Sequence, residues 1–221
     1  MQPRSALLIG ASGLIGGHLL RLLLNEELYD TVTVLVRTPL SIRHPKLEEI
    51  VTDFDHLETL ADVVRGNDIF CCLGTTIRAA RSQEAFRRVD FTYVQKVASL
   101  ASKNGAGQFL LVSSLGANMN SGVFYSRVKG EIEMAVANLP FRSVQIFRPS
   151  VLRGERRETR INERFATAIM TMISFLLVGK LRRYRPINAS TVAHAMLAAA
   201  KQEDNGVIIY ESERIQLLGT V

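Results

Sequence analysis

The chain has 221 residues, no tryptophan, and only two cysteines, Cys71 and Cys72. Neighbouring cysteines are poorly placed to pair with each other. No disulfide framework is expected, and the composition suits a reducing compartment. Long apolar runs are also missing. The longest, residues 165–178, is shorter than the roughly 20 residues that a membrane-spanning helix needs. The opening stretch MQPRSALLIG has the wrong shape for a signal peptide, so a cytoplasmic location is the expectation. Basic stretches are not interleaved with aromatic residues, and no nucleic-acid motif is present. The formal net charge of +6 is therefore read as a preference for anionic small molecules. No metal site is expected. There is no internal repeat, low-complexity tract or long linker.

What is present is a regular alternation. Apolar β-rich runs occupy 6–9, 32–36, 49–52, 68–72, 108–113, 143–147 and 207–210. Helical spacing of apolar residues marks 14–24, 56–64, 83–103, 125–138, 162–178 and 190–202. Continuous Val/Ile/Leu runs indicate strands buried on both faces. Strand and helix in alternation predict an α/β fold: a Rossmann-type, doubly wound parallel sheet with right-handed crossovers. The length suits one domain over 1–221, with 152–190 forming a substrate or lid portion over the carboxyl edge of the sheet.

The first strand runs into GASGLIG, residues 10–16, and then into a helix. Gly10 permits a tight turn, Gly13 a close approach of backbone to a pyrophosphate, and Gly16 close packing of the helix against the sheet. The N–H groups at the start of the helix then face the phosphates. Gly10, Ser12, Gly13, Leu14, Ile15 and Gly16 are the candidate phosphate-side residues. A ligand-free strand–helix turn is the competing reading. At the end of the second strand, VLVRTP places Arg37 where NAD-preferring domains carry an acid. A guanidinium there suits a 2′-phosphate, so NADP(H) is favoured over NAD(H); a plain surface arginine is the alternative. Asp53 and Phe54 follow the third strand, with the Asp53 carboxylate and the Phe54 backbone offered to adenine. Leu73 and Gly74 follow the fourth and are placed along the cofactor. The cysteines before them are read as buried structural thiols.

The fifth strand ends in Ser113 and Ser114, and FYSRVKGE follows. Tyr125 and Lys129 are four residues apart and share a helix face. A nearby ammonium favours the phenolate, so the tyrosine can exchange a proton with a carbonyl or alcohol near neutral pH. The lysine can also hold the nicotinamide ribose. A serine at the strand end can orient the substrate oxygen. A solvated helix face is the bland alternative for such a pair, but its position after a glycine loop and a Ser-Ser strand end makes the combination specific.

These residues resemble the short-chain dehydrogenase/reductase superfamily, in its extended and atypical branches. FCCLGTT, RVDFTYV, LLVSSLGAN, YSRVKGEIE and FRPSVLRGERRETR are similar to the Tat-interacting oxidoreductase-like proteins, an atypical NADP-binding group. The similarity runs in order from Leu7 to about Leu197. It implies a Rossmann fold, bound NADPH, a Ser-Tyr-Lys triad and an ill-defined substrate, with regulatory roles the better known among eukaryotic members. Tyr125 and Lys129 match directly. Of the two serines, Ser114 is the choice, because the second of such a pair usually acts in the superfamily. Asp90 stands where the superfamily often has an asparagine. Leu152 and Arg160 match positions that close over the nicotinamide and phosphate side.

Two features remain. Arg153, Arg156, Arg157, Arg160 and Arg164, with Arg182, Arg183 and Arg185 beyond, form a basic cluster. It reads as a solvated face, a rim for an anionic substrate such as a nucleotide sugar or acyl phosphate, or a docking surface for an acidic partner. The apolar stretch 165–178 reads as core and lid, or as a dimer face, so monomer and homodimer both stand. His18 and His194 are expected to be non-catalytic. Three functional readings follow: an NADP(H)-dependent oxidoreductase acting on a carbonyl or alcohol, a nucleotide-sugar epimerase or dehydratase using the same parts, and an NADPH-binding redox sensor with a protein partner.

Overall fold

The computed structural model describes residues 3–153 and 184–220. Within them, seven strands form one sheet: β1 (Arg4–Ile9), β2 (Tyr29–Val36), β3 (Leu47–Val51), β4 (Asp68–Cys71), β5 (Gln108–Val112), β6 (Ser143–Arg148) and β9 (Gly206–Glu211). Their order is β3-β2-β1-β4-β5-β6-β9, and every neighbouring pair is parallel. This is the doubly wound arrangement the alternation predicts.

Helices cover both faces. Leu8, Phe70 and Leu110 point to one core, shared with α1 (Leu14–Asn25) and α6 (Ala189–Gln202). Leu7, Ile69 and Leu111 point to the other, shared with α4 (Val94–Lys103) and α5 (Phe124–Ala137). Every residue of β4 and β5 is buried, which is why these strands read as unbroken rather than alternating runs. The run of alanines in α6, from Ala189 to Ala200, lets that helix pack against α1.

Polar residues close the amino ends of the strands. Asp68 is fully buried and accepts hydrogen bonds from Arg4 Nη2 (2.6 Å), Tyr29 Oη (2.7 Å) and Gln108 Nε2 (3.0 Å). Burial pushes both the Asp68 carboxyl and the Tyr29 phenol up. Gln108 Nε2 also donates to the Ala200 carbonyl at 3.0 Å, tying α6 to the base of the sheet.

Several elements differ from the sequence expectation. The single helix expected over 83–103 is interrupted. Beyond a short turn, α2 (Ile77–Ala80), it divides into α3 (Gln83–Arg87), a π-helical turn at Arg88–Tyr93, and α4. The helix expected over 56–64 is a 3₁₀ segment, Phe54–Leu60, irregular at His56. A small parallel pair, β7 (Leu152–Arg153) with β8 (Ile187–Asn188), was not anticipated, since two residues are too few to show a period. The short α7 (Ser212–Leu218) completes the fold. The expected helix 162–178 and most of the 152–190 lid portion lie outside the described residues.

Candidate functional site

The sheet order reverses between β1 and β4, where doubly wound folds open a crevice at the carboxyl ends of the strands. The loops after β1 and β4 meet there. Gly10 has φ +86°, and a Cβ on it would lie 2.6 Å from the Cys72 carbonyl carbon. Only glycine satisfies both demands. A Cβ on Gly16 would lie 2.1 Å from the Gly10 carbonyl oxygen. Gly16 thus lets α1 press on the loop itself, rather than on the sheet as the sequence reading had it. Gly13 differs from both. A Cβ there would meet only the Gly10 oxygen, at 3.1 Å, and otherwise space.

Gly13 also stands at the N-cap of α1 with no side chain capping the helix, and Ser12 and Gly13 are exposed. Leu14 and Ile15 open the helix, so their N–H groups belong to its uncapped first turn. This is a cradle with room for an anion beside donors that carry the positive end of the helix dipole. The residues present therefore fit a dinucleotide pyrophosphate.

The rim follows the strand ends. Arg37 is exposed just past β2. Asp53 accepts a hydrogen bond from the Asp55 N–H at 3.0 Å, so its carboxylate caps the 3₁₀ segment. Phe54 is buried in the core. Leu73 is half-buried against the α4/α5 core, and Gly74 is exposed. Cys71 is fully buried and its thiol is pushed up to about 12 by burial. The Cys72 thiol, 4.0 Å from Met196 Sδ, is also raised by burial.

Tyr125 and Lys129 both lie on α5. Tyr125 is half-buried, its ring tilted at 45° against buried Phe86 with centroids 5.4 Å apart. Its hydroxyl makes no hydrogen bond among the described residues. Lys129 is 95% buried, and its Nζ sits 2.7 Å from Oδ1 of fully buried Asp90. Burial pulls the Lys129 ammonium down, but Asp90 and then Tyr125 push it up, and the net direction is upward. Phe86 was missed from the sequence, where it is a lone aromatic in a polar stretch.

The two serines separate. Ser113 extends the β5–β6 pairing, its N–H donating to the Phe147 carbonyl at 2.7 Å; its hydroxyl is buried without a partner among the described residues. Ser114 is half-buried, with its Oγ 3.4 Å from the Leu115 carbonyl. The loop carrying them is locked onto α5, because a Cβ on Gly130 would fall 2.1 Å from the Met119 nitrogen. Serines and tyrosine are thereby held in one frame.

Leu152 is half-buried in β7, where it pairs with Ile187 of β8. Arg160 and most of the arginine cluster lie outside the described residues; Arg153 and Arg185 are within them. His18 is half-buried on α1, and His194 lies exposed on α6. No helix among the described residues is long and apolar enough to cross a membrane.

Known proteins agree with this architecture. A family model described as NAD(P)H-binding matches residues 10–138. Protein HTATIP2 of Rattus norvegicus is 41% identical over 167 residues, covering 74% of this chain and 69% of that protein. Protein FMP52, mitochondrial, of Debaryomyces hansenii is 33% identical over 161 residues, covering 71% of this chain and 70% of its own. Among solved structures, the Bordetella bronchiseptica enzyme WbmH in complex with NAD+ superposes with a TM-score of 0.72 at 14% identity, over 96% of this chain and 76% of that one. The UDP-N-acetylglucosamine 4-epimerase of Methanobrevibacter ruminantium gives 0.70 at 15% identity, over 96% and 77%. A match across more than half the chain, with a relative at this identity, fixes the family: the chain belongs to the NAD(P)H-binding proteins, is related to HTATIP2, and has the Rossmann-type fold of the nucleotide-sugar epimerases.

Proposed function

We propose that the protein is an NADP(H)-dependent oxidoreductase that interconverts a carbonyl and an alcohol. One observation carries the reading: α5 bears both Tyr125 and the buried Lys129, whose ammonium lies against Gly74 in the loop after β4. A nicotinamide bound there supplies or accepts the hydride. The backbone from Gly10 to Gly16 would hold the pyrophosphate, with Arg37 toward the 2′-phosphate and Asp53, Phe54, Leu73, Gly74 and Leu152 along the rest.

In the reducing direction Tyr125 gives its phenolic proton to the carbonyl oxygen as the carbon becomes an alcohol. In the oxidising direction it takes that proton back. The Lys129 charge favours the phenolate so formed. Its charge is paired with Asp90, and its N–H donors are offered to the nicotinamide ribose. Ser114 donates to the substrate oxygen and fixes its direction.

A Tyr125→Phe variant tests the reading in a screen of carbonyl substrates. Turnover is expected to fall by about 10²–10⁴-fold, with NADPH affinity within about threefold of wild type. Turnover equal to wild type overturns the role given to Tyr125. Paired Ser113→Ala and Ser114→Ala variants assign the orienting hydroxyl: the larger loss is expected at Ser114.

A nucleotide-sugar epimerase or dehydratase is the second reading, supported by fold neighbours such as UDP-N-acetylglucosamine 4-epimerase and dTDP-glucose 4,6-dehydratase. The same residues serve it, with the hydride returned to the substrate. Product formed without net consumption of NADPH favours it over the first.

A further inference from the structure

Three elements converge on one buried point. The loop after β4 passes over it: a Cβ on Gly74 would lie 3.5 Å from Asp90 Oδ1 and 3.7 Å from Lys129 Nζ. The π-helical turn Arg88–Tyr93 supplies Asp90 from one side, and α5 supplies Lys129 from the other. Asp90 uses both oxygens. Oδ1 meets the ammonium at 2.7 Å, and Oδ2 accepts from the Thr75 N–H at 2.9 Å.

The backbone departs from α geometry at this carboxylate. A π turn takes in one extra residue and rotates the side chains around it relative to an uninterrupted helix. The neighbours Arg87 and Arg88 stay exposed while Asp90 is fully buried. A carboxylate is rarely buried unless paired, and here the partner is the lysine of the proposed reaction.

We propose that Asp90 is a positioning residue: its carboxylate is the counter-ion that keeps the buried Lys129 charged, and through the Thr75 amide it fixes that charge against the loop after β4. The inference rests on the oxidoreductase reading for its consequence, not for its test. Without a counter-ion, an ammonium this deeply buried loses its proton far more readily. It would then neither favour the Tyr125 phenolate nor offer a charged donor to a ribose. The titratable groups around Lys129 are Asp90 from the π turn, Tyr125 from α5 and Cys71 from β4. Of these, Asp90 alone is a carboxylic acid.

Lysine labelled with ¹³C at Cε reads the charge directly by NMR. The chain has six lysines, and Lys129→Arg identifies the signal of interest. In the wild type, Lys129 is expected to titrate last of the six, or to stay protonated until the chain unfolds. In Asp90→Asn its midpoint falls by about one pH unit or more, and Asp90→Glu restores most of the difference. A wild-type Lys129 midpoint at or below those of the other lysines overturns the proposal without any variant. An unmoved midpoint in folded Asp90→Asn overturns it as well. The measurement needs neither cofactor nor substrate. Failure to bind NADPH would remove the oxidoreductase reading and leave the titration result standing.

Discussion

The Gly16 α-carbon faces the Gly10 carbonyl so closely that a methyl group on it would lie 2.1 Å from the oxygen. Helix α1 and the loop before it are thus set by the absence of one side chain. Gly16→Ala is expected to cost about 1–3 kcal/mol through overpacking and to weaken dinucleotide binding. Gly17 is the control, since a Cβ there would meet only the Ala11 carbonyl at 3.5 Å, an ordinary contact. Gly17→Ala is expected to be neutral or to gain up to about 1 kcal/mol from helix propensity. Urea denaturation of the two variants decides it; equal behaviour would contradict this account of the loop.

Asp68 organises the opposite end of the sheet. It collects Arg4, Tyr29 and Gln108 while fully buried. Asp68→Ala leaves those donors without their acceptor and is expected to destabilise by roughly 3–5 kcal/mol. Cofactor affinity at the far end of the strands is expected to hold wherever the variant remains folded. A loss under about 1 kcal/mol in urea denaturation would mean the network is dispensable.

Alkaline pH should weaken the fold. The Cys71 thiol is raised from its ordinary value near 9.0 to about 12, and the Tyr29 phenol and Lys129 ammonium are also raised. In each case the native chain keeps a proton that the unfolded chain releases. Stability therefore falls by up to about 1.4 kcal/mol per pH unit for each group once pH passes its unfolded value, near 9 for Cys71 and near 10 for Tyr29 and Lys129. Urea midpoints between pH 8 and 10.5 should decline, and Cys71→Ala should decline less steeply. A flat profile would contradict these directions. Cys71 should likewise resist thiol reagents at neutral pH until the chain is denatured.

The sequence carried the framework because buried parallel strands and helix faces repeat with clear periods. β4, β5 and α5 fell within a residue of where the runs placed them. The glycine loop was legible for a similar reason: three glycines between a strand and a helix have few other uses. The break at Arg88–Tyr93 was not legible, since a π turn changes the period by one residue within a stretch that otherwise reads as helix. Asp90 was visible as a departure from the superfamily's asparagine. Its contacts were not, because Lys129 and Thr75 approach it from elements distant in the chain. The support of Tyr125 by Phe86 is likewise a tertiary contact.

What the Gly10 loop and Arg37 receive decides the function. Calorimetric titration of cofactor-stripped protein with NADPH and NADH, beside an Arg37→Ala variant, tests it most directly. Tighter binding of NADPH is expected, with Arg37→Ala weakening NADPH by about 10–100-fold, as for one charge-assisted pair, and leaving NADH nearly unchanged. Equal affinity for the two cofactors, unaltered by Arg37→Ala, would contradict the role of Arg37. Binding of neither would contradict the oxidoreductase reading as a whole.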